Sequence, residues 1–264
     1  CAHPATAELV AQAILAAVEI CHLDKGVFSL IQGKNYAISS QIVTHPMVKA
    51  VGFTGSERVG MILQQQINER AEPIPFYGEL GSVNPQFILP EKVASTGAEI
   101  AQALVASLMM GQGQFCTSPG VWAVVEDDNY ATFEQAAIES LSSQPAGVML
   151  TPGIRASYQS AVSDWQSLSG VNCLAHGQQG QSHECSAALF SANLATFIKH
   201  HQLQEEVFGS SALIIKCADF NEMLQLITLL KGNLTASIHA EDSDLENAKA
   251  LAIPCLLYTS PSPR

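Results

Sequence analysis

The feature that most constrains the fold is the alternation of extended and helical patterns along the 264 residues. A short apolar run ends in small residues at Thr54-Gly55-Ser56, and a polar, amphipathic stretch follows at 57–69. Extended segments that alternate with helical ones are typical of α/β proteins with parallel strands. The sequence therefore predicts an α/β fold that contains a βαβ-like unit.

The hydrophobic periodicity gives approximate bounds for the main elements. The predicted helices cover residues 6–20, 57–69, 95–110, 221–230 and 245–251, with Thr6 as the N-cap of the first. The predicted strands cover residues 27–31, 49–53, 74–79, 87–89, 121–125, 189–192, 212–216 and 236–239.

Composition and charge restrict the class of partner. Hydrophobic residues make up 47% of the chain and charged residues 14%, which is enough to bury a sizeable core and too apolar for a disordered protein. The net charge of −12 argues against a nucleic acid or an anionic membrane surface as partner. A dinucleotide is compatible with this charge, because backbone N–H groups alone can hold its phosphates.

The seven cysteines are odd in number, scattered, and form no CxxC pair. This pattern predicts neither a disulfide scaffold nor a zinc site, and we expect no metal centre. The first residues do not resemble a signal sequence, and no apolar run approaches the roughly 18 residues of a membrane span. A reducing, cytoplasmic location is the expectation.

The segment at 113–120 places Cys116 in a loop of small and polar residues between a predicted buried helix and a strand. A thiol in such a loop can be accessible and flanked by free backbone N–H groups. Those groups favour a thiolate and any oxyanion that forms beside it. Taken alone, a single cysteine is more often a small packing residue.

Two other segments carry possible chemistry. Glu79 ends an apolar strand and enters a glycine-containing turn, where a partly desolvated carboxylate is suited to act as a general base. The alternative is a solvated charge at a strand end. At 51–56, a strand, a small-residue turn and a helix N-terminus form a pattern typical of anion sites. Here the alternative is an ordinary helix cap by Ser56 or Thr54.

In combination, the segments FTGS, ELGSVNP, GQFCTSPG and EEVFGSS, in that order, closely resemble the aldehyde dehydrogenase superfamily. Their details are most similar to the branch that contains α-ketoglutarate semialdehyde dehydrogenases. The resemblance covers the chain from His3 to about Leu251. It implies a partial aldehyde dehydrogenase fold, with part of a Rossmann-like cofactor domain at 1–80 and an incomplete α/β catalytic domain at 81–254. Residues 255–264, CLLYTSPSPR, are interpreted as a non-native tail.

The resemblance also implies a reaction. Cys116 attacks an aldehyde, hydride passes to NAD or NADP, and Glu79 activates the water that hydrolyses the resulting thioester. The aldehyde expected for this branch is a small semialdehyde such as 2,5-dioxopentanoate. Relatives that transfer the acyl group to coenzyme A tend to lack the glutamate, so Glu79 favours hydrolysis over that alternative.

The implied cofactor contacts divide into two groups. Gly55, Ser56 and Val59 match positions near the pyrophosphate and adenine. Leu80 approaches the nicotinamide through its backbone, Glu206 binds its ribose, and Phe208 packs beside it. The alternatives are core packing for Phe208 and a surface charge for Glu206.

Some family features are missing or altered. The series from Gly33 to Ser39 departs from a GxGxxxG-like pattern, and Ser210 stands where the family usually has proline. An oxyanion-hole asparagine, a ribose-binding lysine and a C-terminal oligomerisation segment of relatives have no counterpart in the sequence. We therefore expect the chain alone to be an inactive or aggregating fragment, and its parent enzyme to be a homo-oligomer.

Overall fold

The computed structural model describes residues 3–33 and 36–259, with side chains up to residue 256. The chain divides into two compact units, Cys1–Leu80 and the residues from Gly81 onward. Each unit is described by itself. The cofactor-binding role of the first unit and the catalytic role of the second stay predictions.

The first unit contains the predicted βαβ arrangement. Its elements are α1 (Pro4–Ile20), a 3₁₀ turn (Lys25–Val27), α2 (Tyr36–Thr44), β1 (Val51–Thr54), α3 (Glu57–Asn68) and β2 (Phe76–Glu79). Strands β1 and β2 are parallel, with Thr54 opposite Glu79. Leu63 and Ile67 of α3 pack against the strands in a small apolar core. This confirms the βαβ-like unit, with α3 as the crossover helix.

The predicted strand at 27–31 is wrong. The Asp24 side chain accepts a hydrogen bond from the Gly26 N–H and stabilises the 3₁₀ turn Lys25–Val27. The following residues pair with no strand in the described part of the chain, and Val27 and Ile31 are 62% and 63% exposed. An apolar run becomes a strand only where a neighbouring strand satisfies its backbone.

Helix α1 begins earlier than predicted and exposes an apolar surface. Pro4 occupies its first turn, where the missing proline N–H costs nothing, so Thr6 lies inside the helix and is not its N-cap. Leu9, Val10 and Ile20 are each more than half exposed. Exposed apolar surface of this kind favours association, in line with the expected aggregation of the isolated chain.

The second unit is a larger α/β layer structure. Its helices are α4 (Pro90–Met109), α5 (Tyr130–Ser142), α6 (Pro152–Ser167), α7 (Leu194–Lys199), α8 (Phe220–Leu229) and α9 (Leu245–Thr259). Its strands are β3 (Gln86–Ile88), β4 (Val121–Val125), β5 (Gly147–Val148), β6 (Asn172–His176), β7 (Glu184–Cys185), β8 (Ala188–Asn193), β9 (Ser211–Cys217) and β10 (Ser237–His239).

Six strands form the central sheet in the order β10-β3-β4-β9-β8-β6. All neighbours are parallel except β6, which pairs antiparallel with β8. Alternate residues of β4 enter different cores: Val121 and Ala123 pack with α8, whereas Trp122 and Val124 pack with α4 and α5. Burial on both faces explains why the central strands β4 and β9 are almost continuously apolar.

Helix α4 is long and apolar enough, with the turn that follows it, to span a membrane by length and composition alone. Its residues Ala101, Leu104, Val105 and Leu108 instead pack against the sheet and α5. The helix begins at Pro90, five residues before the predicted start. Thr96 interrupts the helix with non-helical dihedrals, so the residues before it do not continue the hydrophobic periodicity from which the start was predicted.

Helix α9 continues beyond the predicted end at Leu251. It passes through Pro254 to Thr259, and Cys255 is buried in the core beside α8. The helix therefore includes residues 255–259 of the segment interpreted as a non-native tail, and that interpretation stays a prediction. The last residues of the predicted tail, 260–264, lie outside the described residues.

Phe190 tests the core of the central sheet. Its side chain is fully buried and packs edge-on against Trp165, with ring centroids 5.5 Å apart. We expect Phe190→Ala to lower the free energy of unfolding by about 3–5 kcal/mol, because it leaves a cavity. Urea denaturation measures this change. Val148→Ala, at a position 62% exposed, is the control and should stay within about 0.5 kcal/mol of the wild type; equal effects would contradict the core assignment.

Candidate functional site

The loop that carries Cys116 is shaped by an unusual backbone run. After α4, Gly111, Gln112 and Gly113 all have left-handed dihedrals, with φ of 56°, 58° and 63°. A tight turn follows, in which the Ser118 N–H donates to the Phe115 carbonyl over 3.1 Å. Cys116 lies in this turn and is exposed. The predicted accessible thiol is therefore present in the structure.

A close backbone contact fixes the start of this loop. Gly113 is buried, and a Cβ atom there would collide with the backbone of Gly209 and Ser210. Gly209 in turn packs against the Tyr158 ring, whose hydroxyl donates to the carbonyls of Ser186 and Ser210. The EEVFGSS segment therefore supports the cysteine loop directly through its backbone.

The end of the loop rests on Asn84, a residue that sequence reasoning did not single out. Asn84 is fully buried and has a left-handed φ of 46°. Its Nδ2 donates to the carbonyls of Cys116 and Ser118, both over 2.9 Å. Asn84 stands in the quoted ELGSVNP motif, so its place near a functional segment was visible, but its partners were not.

Asn233 was also missed, and nothing in the sequence singles it out. Its Oδ1 accepts hydrogen bonds from the N–H groups of Val83 and Asn84, over 2.9 and 3.1 Å. The Oδ1 of Asn84 accepts from the hydroxyls of Ser82 and Thr235, over 2.7 and 3.0 Å. The segment after α8 therefore supports the turn that supports the cysteine loop.

Glu206 and Phe208 lie in a pocket that includes residues on both sides of Cys116. The pocket is lined by Ser82, Val83, Gly113, Phe115, Ser118, Gly120, Val121, Trp165, Leu203, Glu205, Glu206, Val207, Phe208, Gly209 and Ser211. Burial raises the pKa of Glu206, and a hydrogen bond from the Ser82 backbone partly opposes that rise. Glu206 is thus a partly buried carboxylate, whereas Glu205 beside it is exposed.

Glu79 and Leu80 belong to the first unit. Glu79 ends β2, and its side chain is exposed, so the expected partial desolvation of this carboxylate is not found. The side chain of Leu80 packs over Gly60 of α3, at a point where a Cβ atom would collide with it. These residues therefore lie together at the end of β2, next to the crossover helix.

Gly55, Ser56 and Val59 surround the N-terminus of α3. Ser56 is the N-cap residue, but its side chain makes no capping hydrogen bond. The Gly55 N–H donates to the Glu79 carbonyl over 3.1 Å, which ties this turn to β2. Val59 packs into the small core of the first unit. The arrangement brings the three predicted residues together at a helix N-terminus, where backbone N–H groups can bind an anion.

Comparison of the sequence with known proteins assigns the chain to a protein family. Residues 3–253 match the model of the aldehyde dehydrogenase family, so the chain belongs to that family. It is 40% identical over 252 residues to α-ketoglutaric semialdehyde dehydrogenase 2 of Azospirillum brasilense, covering 95% of this chain and 48% of that relative. It is 38% identical to the α-ketoglutaric semialdehyde dehydrogenase of Acinetobacter baylyi, covering 94% and 47%.

The fold is also shared with solved structures. The NAD-dependent benzaldehyde dehydrogenase of Corynebacterium glutamicum matches with a TM-score of 0.75 and 21% identity, over 89% of this chain and 51% of that chain. These matches confirm the partial aldehyde dehydrogenase fold and the predicted branch. The chain spans about half the length of the curated relatives that it matches.

Gly113 tests the backbone contact beneath the cysteine loop. We expect Gly113→Ala to destabilise the second unit by about 1–3 kcal/mol through overpacking against Gly209, with roughly 1 kcal/mol more from the left-handed dihedrals. Urea denaturation measures the loss. Gly153→Ala is a matched control, because a Cβ atom there meets only the Thr151 hydroxyl at 3.8 Å. A Gly113→Ala protein as stable as this control would refute the close contact.

The raised pKa of Glu206 predicts that the stability of the folded chain depends on pH. Because its pKa is raised in the folded state, the folded chain binds the proton more tightly than the unfolded chain. The stabilisation from protonated Glu206 is complete below the ordinary glutamate pKa, about 4.3, and is lost as pH rises through the folded-state pKa. We expect Glu206→Gln to raise the melting temperature at pH 7–8, and the gain to shrink toward pH 4.

Thermal unfolding across this pH range measures the difference. Glu205→Gln is the control, because it removes one exposed negative charge next to the same site and measures the effect of net charge. A Glu206→Gln gain that is independent of pH, or no larger than that of Glu205→Gln, would contradict the burial of the Glu206 carboxylate.

Proposed function

We propose that this chain supplies the nucleophile and part of the cofactor site of an enzyme that oxidises an aldehyde to a carboxylate with NAD or NADP. The observation that carries the proposal is the exposed Cys116 on a loop fixed from beneath by Asn84 and Gly113. A nucleophile needs this combination of access and fixed position. Membership of the aldehyde dehydrogenase family supports it.

In the proposed reaction, the Cys116 thiolate adds to the carbonyl carbon of the aldehyde and forms a thiohemiacetal. Loss of hydride from that carbon leaves a thioester on Sγ. Glu79 then takes a proton from water, the hydroxide attacks the thioester, and the carboxylate product leaves as Sγ is released as a thiolate. The exposed position of Glu79 keeps its carboxylate in contact with water, which this step consumes.

A nicotinamide dinucleotide, when bound, supplies the acceptor for that hydride. The N-terminus of α3, where the Ser56 side chain makes no capping bond, would bind its pyrophosphate through backbone N–H groups. Gly55, Ser56 and Val59 would hold this end. Leu80 through its backbone, with Glu206 and Phe208, would hold the nicotinamide riboside, and the partly buried carboxylate of Glu206 suits a pair of ribose hydroxyls.

A small semialdehyde is the proposed substrate, and the support is the pair of α-ketoglutaric semialdehyde dehydrogenases at 40% and 38% identity. We further propose that the complete enzyme is a cytoplasmic homo-oligomer. The alternative of acyl transfer to coenzyme A is disfavoured by Glu79, which gives water a general base in the deacylation step.

A chimera tests the proposed reaction. This chain replaces the matching 48% of the Azospirillum brasilense relative, and formation of reduced nicotinamide is followed with 2,5-dioxopentanoate. We expect Cys116→Ser to reduce turnover to background, because a hydroxyl is a far weaker nucleophile than a thiolate. Glu79→Gln should give a burst of about one equivalent of reduced cofactor per site, followed by slow turnover, because only the hydrolysis step loses its base.

The controls are Cys21→Ser and Cys173→Ser, which alter exposed cysteines that the proposal does not use and should retain activity. Activity that survives Cys116→Ser would refute the nucleophile. Product formation that requires coenzyme A would overturn hydrolysis in favour of acyl transfer. The isolated chain should show no aldehyde-dependent reduction of either cofactor.

A further inference from the structure

We propose that Asn84, held in place by Asn233, is a positioning residue for the Cys116 thiol. This inference rests on the proposed function, because it concerns the same nucleophile. The two asparagine side chains have different tasks. Asn84 acts through the N–H donors of its amide, and Asn233 acts through the oxygen acceptor of its amide.

The orientations of both amides follow from their partners. Asn84 Nδ2 faces the Cys116 and Ser118 carbonyls, which can only accept hydrogen bonds. Asn233 Oδ1 faces the Val83 and Asn84 N–H groups, which can only donate. Since backbone groups have fixed roles, neither side chain can be flipped without losing two bonds.

The bonds from Asn84 orient the peptide that follows the nucleophile. The carbonyl of Cys116 and the N–H of Thr117 belong to one trans peptide unit and point in opposite directions. Because the carbonyl points at the buried amide, the Thr117 N–H points away from it. That N–H has no acceptor among the described residues, so it is available to negative charge on the accessible side of the loop.

Asn84 can perform this task only in its present conformation. Its φ of 46° lies in the left-handed region, which asparagine, aspartate and glycine tolerate best. The bonds from Val83 N–H and Asn84 N–H to Asn233 fix that turn from outside. The Ser82 hydroxyl accepts from the Leu234 N–H over 2.9 Å and adds a further link between the same two segments.

The same substitution at the two positions is expected to have opposite results. Asn84→Asp keeps the left-handed preference and the acceptor oxygen, but replaces the Nδ2 donor with an oxygen that faces two carbonyls. Asn233→Asp keeps the acceptor for both N–H groups, and its second oxygen faces only the Lys231 carbonyl, at an exposed position where water can satisfy both groups. Each adds one acidic group, so the two variants are matched in net charge and differ in whether the altered side chain bonds to the cysteine loop.

The measurement is the rate of iodoacetamide labelling of each cysteine in the full 264-residue chain, resolved by peptide mass spectrometry. Cys21 and Cys173 are exposed references, and buried Cys185 and Cys217 report unfolding in the same sample. We expect Cys116 to label faster than either reference in the wild type. Asn84→Asp should slow it about five- to tenfold, the effect of losing one or two hydrogen bonds, and Asn233→Asp less than twofold.

The outcomes separate the two proposals. A wild-type Cys116 no faster than Cys21 and Cys173 would refute the nucleophile, and the positioning role with it. A fast Cys116 that stays fast in Asn84→Asp, or slows equally in both aspartate variants, would overturn the positioning role alone. If Cys185 and Cys217 become labelled in Asn84→Asp, that variant has unfolded, and Thr235→Val is used in its place. Thr235→Val removes one hydroxyl donor to Asn84, and an unchanged rate of Cys116 labelling in it would overturn the positioning role.

Discussion

The buried amide of Asn84 is the interaction on which the candidate site depends. A loop that turns sharply cannot satisfy all of its own carbonyls, and an unpaired buried carbonyl costs roughly 1–3 kcal/mol. Asn84 satisfies two of them, at Cys116 and Ser118, from a fully buried position. The thiol can therefore stay exposed while the backbone on either side of it is held. This loop therefore combines an accessible thiol with a fixed backbone, two properties that usually oppose each other in a loop.

The central sheet makes this arrangement possible. Strands β3 and β4 are adjacent and parallel, so the turn before β3 and the loop before β4 meet at the same edge of the sheet. The Gly120 N–H donates to the Val83 carbonyl over 2.9 Å at that edge. The neighbouring strand β9 begins just after Gly209, which places the EEVFGSS segment against Gly113. Three distant motifs thus converge because three strands are neighbours.

The sequence predicted much of this organisation. The βαβ unit, the bounds of β4 and the motif order all follow from local patterns, because periodicity and turn chemistry are encoded within a few residues. The strand at 27–31 failed for a different reason: a strand depends on a partner, and none lies beside it in the described chain. Asn233 was missed because its importance comes from contacts about 150 residues away along the chain. Similarly, the exposure of Glu79 depends on what surrounds the end of β2, which no local pattern specifies.

The contact between Gly113 and the backbone of Gly209 has a consequence for how such chains diverge. Neither position leaves room for a side chain: one faces a backbone, and the other faces the Tyr158 ring. A substitution at Gly113 requires a change in the segment of Gly209, and a substitution at Gly209 requires a change at Tyr158 of α6; single mutations explore such combinations rarely. Drift in the two segments is therefore coupled, and the packing of the thiol loop, the Glu206 segment and Tyr158 should be inherited as a unit while residues away from these contacts vary more freely.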